Sequence, residues 1–329
     1  MNSFSKVIGH HTIKEYFNRA VGADKVSHSY IFEGPEGVGK KMVAMELAKI
    51  LLCEEKENNT ACNKCKSCHM IEAHTHPDII VVNKDTKVTK IDTIRDKVVK
   101  EMGIKPYQGN YKIIIVAEAD TVTTEGQNAM LKTIEETPSY GIVILVVQNI
   151  AKLLPTIKSR CIHMRFNALM QKEIMEYLGT KGITGQNKEI YTKFCEGSIG
   201  MANKLIEDKI FIEQRRKSIE YLRRLDSANM MQLYDVVKEL CDQKEIITSI
   251  LDFWLLWYRD VALLKSTGSD NLYYLDYKSD LLDTTHKLTY NKISNNIVSV
   301  KEAKREIEQN IYATFVIENL LLKLKERKR

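Results

Sequence analysis

The stretch FEGPEGVGKKMVAMELAK, Phe32 to Lys49, constrains the fold of this chain more than any other. An apolar segment runs into closely spaced glycines, then a lysine, then an amphipathic helical pattern. Gly34, Gly39 and Lys40 occupy the fixed positions of a phosphate-binding loop, and Gly37 adds flexibility between them. Glycines at that spacing let backbone N–H groups close around phosphate oxygens at the start of a helix, whose dipole favours the anion. Such a loop lies between a strand and a helix, so it predicts an α/β domain with a parallel sheet.

The surrounding pattern agrees. SYIFEG, DIIVVN, YKIIIVAEA, GIVILVVQ and CIHMRF are short, apolar and rich in β-branched residues, and helix-like stretches such as KIDTIRDKVVKEM and TTEGQNAMLKTIEETP separate them. Apolar runs of this kind suit parallel strands covered on both faces. The alternation ends near Phe166, which bounds the α/β domain at 1–166. Three short helical patterns with glycine breaks follow and predict a small helical domain at 167–210. Long helical patterns then predict a larger helical domain at 211–329, with Trp254 and Trp257 read as helix packing. The basic KLKERKR at the end reads as a solvated helix terminus.

The loop departs from a working nucleotide site at two metal-binding positions. The residue after the lysine normally carries a hydroxyl for Mg²⁺, and here it is Lys41, whose ammonium repels a cation. The strand IIIVAEAD has Ala117 where an aspartate is expected before Glu118. No Mg²⁺ site is therefore expected, hydrolysis is not expected, and the loop with Lys40 retains passive nucleotide or phosphate binding at most.

Four of the seven cysteines are bunched as C-x8-C-x2-C-x2-C, at Cys53, Cys62, Cys65 and Cys68. Thiolates two apart in tight turns bite one ion, and four complete a tetrahedral shell, so a structural zinc ion is expected. His69 and His74 nearby read as surface residues. Cys161, Cys195 and Cys241 stand singly and read as small buried hydrophobes. The N-terminus lacks a secretory apolar core and no run is long enough to span a bilayer, which favours the cytoplasm. A net charge of +6 permits nucleic-acid contact without requiring it.

Together these motifs resemble the bacterial AAA+ clamp-loader subunits of DNA polymerase III over nearly the whole chain. VIGHHTIKEYFNRAVGADKVSHSYIFEGPEGVGK is similar to the family's opening, and NAMLKTIEETP to its NALLKTLEEP. LLPTIKSRC carries the SRC motif, and NIYATFVIENLLLKL is similar to the last helix. The resemblance implies an AAA+ (RecA-like) domain, a helical lid and a helical collar. It implies that Arg160 completes the ATP site of a neighbouring subunit as an arginine finger. It also makes Gly200, in GSIG, the replacement of a γ-phosphate-sensing arginine.

The implied function is that of a stationary subunit in a hetero-pentamer with gamma/tau and delta subunits, at the nucleoid-associated replisome. That assembly places the sliding clamp beta on primed DNA as part of the polymerase III holoenzyme, a nucleotidyltransferase complex. The competing readings are a gamma/tau-type ATPase and a zinc-dependent nucleic-acid-binding module.

Overall fold

The computed structural model describes residues 4–84, 88–242 and 244–325. The chain divides into two compact units, Met1–Gly182 with Cys195–Ala202, and Ile183–Phe194 with Asn203–Arg329. The boundary falls inside the segment 167–210.

The first unit is built on a five-stranded sheet of order β2-β3-β4-β1-β5, every pair parallel. The strands are β1 (Ser29–Glu33), β2 (Ile79–Val82), β3 (Lys112–Val116), β4 (Gly141–Val147) and β5 (Ile162–Arg165), each within one of the five apolar segments. β3 and β4 are buried at every position, as interior strands covered on both faces require, whereas the edge strands β2 and β5 are partly exposed. Alternating side chains feed two cores. Tyr30, Phe32, Ile113, Ile115, Ile142 and Ile144 pack with Phe17 of α1 (His11–Gly22) and Leu47 of α2 (Lys40–Leu52). Ile31, Ile114, Val116, Val143 and Leu145 face Ile94, Val98, Met130 and Ile134 on the other side.

The helices of this unit occupy the connections. α3 (Lys66–Glu72) follows the cysteine-rich segment, and α4 (Ile91–Ile94) continues into a π-helical stretch, Arg95–Lys100. α5 (Thr124–Glu135) is capped by Thr123, whose Oγ accepts from Gly126 N–H. α6 (Pro155–Lys158) is a single turn with proline at its start, where a missing N–H costs nothing, and α7 is Gln171–Thr180.

α8 (Gly185–Phe194) belongs to the second unit, and α9 (Ile199–Glu207) begins in the first and ends in the second. The second unit continues with α10 (Phe211–Ser227), α11 (Met230–Asp242), α12 (Lys244–Thr267), α13 (Lys278–Lys287), α14 (Tyr290–Glu308) and α15 (Ala313–Lys325). α12 is the centre, packed by α10, α11, α13 and α14. Trp254 is fully buried there and its indole N–H donates to Ser218 O at 2.8 Å. The buried Arg215 makes two bonds to Asp276, of 2.7 and 2.5 Å, and stacks over Tyr274. The last four residues of the basic C-terminal run lie outside the described residues. Among the described residues no helix is long and apolar enough to cross a membrane.

Candidate functional site

The glycine loop joins β1 to α2, as its sequence requires. A Cβ at Gly34 would lie 2.2 Å from Phe166 O, a backbone atom, so the close approach of β5's exit excludes any side chain. Gly37 has φ +73°, and a Cβ there would lie 2.3 Å from Ser198 Oγ. Lys40 is buried, and its ammonium donates to Gly34 O at 2.5 Å and Pro35 O at 2.6 Å. Burial pulls its pKa down, while Asp120 and Glu36 pull it up by less.

The positions flanking the loop are engaged elsewhere. Lys41 Nζ donates to Asn83 Oδ1 at 3.3 Å, beside β2. Ala117 follows β3 with its N–H on Val82 O, and Glu118, in the left-handed region, pairs with Lys84. Gly200 N–H donates to Gly37 O at 2.8 Å, and Ser198 Oγ to Glu36 O at 3.0 Å. A Cβ on Gly200 would come within 2.8 Å of Gly37 Cα. Gly200 thus has a packing reason that its sequence motif did not disclose: two backbones touch there. His10 adds a further tie, its Nε2 lying 2.8 Å from Val38 O.

Two features here were not found from sequence. Asp120 is nearly buried, with Lys152 at 3.9 Å, and its Oδ1 has no hydrogen-bond partner among the described residues. Asp78 is fully buried and accepts from the N–H groups of Tyr107, Gln108 and Gly109 at 2.6, 2.8 and 3.0 Å. Burial alone pushes the Asp78 carboxyl up, but the three donors outweigh it and the net direction is down. His76, also buried, accepts from Asp78 N–H at 3.2 Å and lies 2.8 Å from Ser67 Oγ. A single aspartate or histidine between two hydrophobic segments carries no periodic signal. Its partners come from 30 residues away or from across a turn.

Cys53, Cys62, Cys65 and Cys68 come together with all four sulfurs within 4.8 Å of one another, close enough to hold one metal ion. Cys53 caps the C-terminus of α2 and Cys65 the N-terminus of α3, so two helix ends aim the sulfurs inward. Backbone N–H groups point at the sulfurs: Cys62 N–H to Cys53 Sγ at 3.2 Å, Cys65 N–H to Cys62 Sγ at 3.2 Å and Cys68 N–H to Cys65 Sγ at 3.4 Å. Donors so placed favour thiolate over thiol. The Lys64 and Cys65 N–H groups draw Cys62 down to about 7, while burial pushes Cys53 and Cys68 up. The donor set therefore fits an ion that binds four sulfurs. His69 and His74 are exposed, as expected. Of the single cysteines only Cys195 is fully buried; Cys161 and Cys241 are partly exposed, which corrects the reading of all three as core residues.

The SRC segment lies at the other end of the sheet. β1 and β5 run parallel with Tyr30 opposite Ile162 and Glu33 opposite Arg165. Arg160 therefore sits where the strands begin and the glycine loop where they end, on the order of 15 Å apart. Ser159 Oγ donates to Thr156 O at 3.0 Å, and Cys161 packs against the core, pinning the turn on both sides of Arg160. The arginine itself is 42% exposed, with Nε 2.8 Å from Glu135 Oε1.

A family model described as "DNA polymerase III, delta subunit" matches residues 9–170. Over 313 residues the chain is 28% identical to DNA polymerase III subunit delta' of Bacillus subtilis, covering 93% of each chain. The chain thus resembles DNA polymerase III delta-prime and gamma/tau subunits. Another relative is DNA polymerase III subunit gamma of Buchnera aphidicola, 26% identical over 290 residues, covering 80% of this chain and 78% of that one. The solved structure of a DNA polymerase III gamma subunit-related protein from Thermotoga maritima has a TM-score of 0.50 at 18% identity. It covers 96% of this chain and 99% of that one, and shares the fold seen here, an α/β P-loop domain followed by helices.

Proposed function

We propose that this chain is the stationary, delta-prime-type subunit of a DNA polymerase III clamp loader. It would supply Arg160 to the ATP site of a neighbouring gamma/tau-type subunit and hydrolyse no ATP itself. The observation that carries the reading is the contrast between the two ends of the sheet. At the loop end Lys40 is bonded to the loop's own carbonyls, Lys41 and Ala117 stand where metal ligands are needed, and Gly200 abuts Gly37. At the other end Arg160 is exposed on a pinned turn and too far from its own loop to serve it.

An arginine guanidinium offers planar, permanently charged donors, which stabilise charge on a transferring phosphoryl group and are worth ~10³-fold or more in rate. With gamma/tau and delta subunits the chain would complete a hetero-pentamer that loads the sliding clamp beta onto primed DNA in the bacterial cytoplasm. Residues 1–166, 167–210 and 211–329 would then act as AAA+ domain, lid and collar. Cys53, Cys62, Cys65 and Cys68 would hold zinc, which closes the module without an open coordination position.

The similarity to gamma subunits favours a second reading, an ATP-hydrolysing subunit. ATP turnover separates the two. The isolated chain should be silent, and Arg160→Ala should lower DNA-stimulated turnover of the assembled complex by ~10³-fold at the affected site while assembly persists. Steady hydrolysis by the isolated chain would overturn the proposal.

A further inference from the structure

We propose that Glu135 is a positioning residue for Arg160, fixing the guanidinium for use by a neighbouring subunit; this rests on the trans-acting reading of that arginine. Glu135 is the last residue of α5, and its Oε1 lies 2.8 Å from Arg160 Nε. Arg160 Nη1 donates to Thr156 O at 3.1 Å and Ser159 Oγ at 3.3 Å, while Nη2 makes no hydrogen bond among the described residues. Three acceptors, from its own turn and from the end of α5, thus hold Nε and Nη1. One nitrogen is left for an anion from elsewhere.

Both supports are rigid. α5 is anchored by Met130 and Ile134 in the core, and Thr137 Oγ donates to Thr133 O at 2.6 Å just beyond its end. The turn bearing Arg160 is held by Ser159 and Cys161. An exposed arginine otherwise samples many rotamers, and a carboxylate against Nε removes much of that freedom before the neighbour docks. Because the carboxylate meets Nε, it orients the fork without occupying Nη2.

The test is steady-state ATP turnover by the assembled complex on primed DNA, comparing wild type, Glu135→Gln, Arg160→Ala and the double variant. Glu135→Gln should lower kcat by roughly two- to five-fold, the range of an exposed ion pair, with KM for ATP and assembly unchanged. The double variant should equal Arg160→Ala, because the two residues act through one group. In the isolated chain, the Arg160 Nε–H signal should exchange more slowly with water in wild type than in Glu135→Gln.

An unchanged or raised kcat in Glu135→Gln overturns the positioning role, and so does a double variant slower than Arg160→Ala. If Arg160→Ala itself leaves turnover intact, the trans-acting reading fails, and this inference fails with it.

Discussion

Replacing Glu72 by glutamine should destabilise the first unit far more than a surface charge change would. Lys49 lies in the last turn of α2 with its side chain only 2% exposed, and its ammonium donates to Glu72 Oε1 at 2.6 Å. The same oxygen accepts from the exposed Lys6 at 2.7 Å. Breaking a fully buried pair costs about 3–5 kcal/mol because a desolvated charge is stranded. Glu72 is 42% exposed, so water screens its side of the pair, and the glutamine carbonyl still accepts one bond. Together these reduce the expected loss to about 2 kcal/mol.

The ammonium of Lys49, and then that of Lys6, holds the Glu72 carboxyl down at about 2. A shift of roughly two units from an ordinary glutamate is worth about 3 kcal/mol at face value, and screening cuts it by about half. The folded-state pKa is depressed, so this stability is complete above about pH 4.3 and is lost as pH falls towards 2. Glu72→Gln should remove that dependence. Both tryptophans, Trp254 and Trp257, lie in the second unit, so their fluorescence does not report on this pair. Hydrogen exchange of the α2 and α3 amides does. The reasoning is refuted if Glu72→Gln exchanges within about 0.5 kcal/mol of wild type at pH 7, or if Lys6→Ala costs as much.

Two further outcomes are expected. The purified chain should carry one zinc ion, and Cys65→Ser or prolonged chelation should release it and expose the end of α2 and α3 to exchange before the sheet; retention of full protection without metal would contradict a structural role. Gly200→Ala should destabilise the first unit by about 1–3 kcal/mol, because its Cβ meets Gly37 Cα at 2.8 Å and two backbones must part; an unaltered unfolding midpoint would show that the contact yields freely.

The sheet was legible because β3 and β4 are nearly continuous apolar runs buried at every position, whereas β5 carries His163 and Arg165 and is marked mainly by its place in the alternation. The cysteine cluster was legible because its spacing is local. The contacts that tie the loop down were not: His10, Ser198 and Gly200 reach it from 28 to 163 residues away in sequence, and only the fold brings them there. Glu135 belongs to the NAMLKTIEETP motif, yet its partner stands 25 positions later, across β4. Asp78 and Lys49 look like ordinary surface charges in sequence and prove to be buried and bonded.

The parallel strands give the first unit a polarity. The pinned arginine turn and the glycine loop occupy opposite rims of one sheet, and a rim of one kind is not the mirror of the other. A contact that brought the arginine rim of one molecule to the loop rim of the next, without the reciprocal contact, would be head-to-tail and repeat in one direction only. A molecule whose loop is tied shut would end such a row on one side while still continuing it on the other.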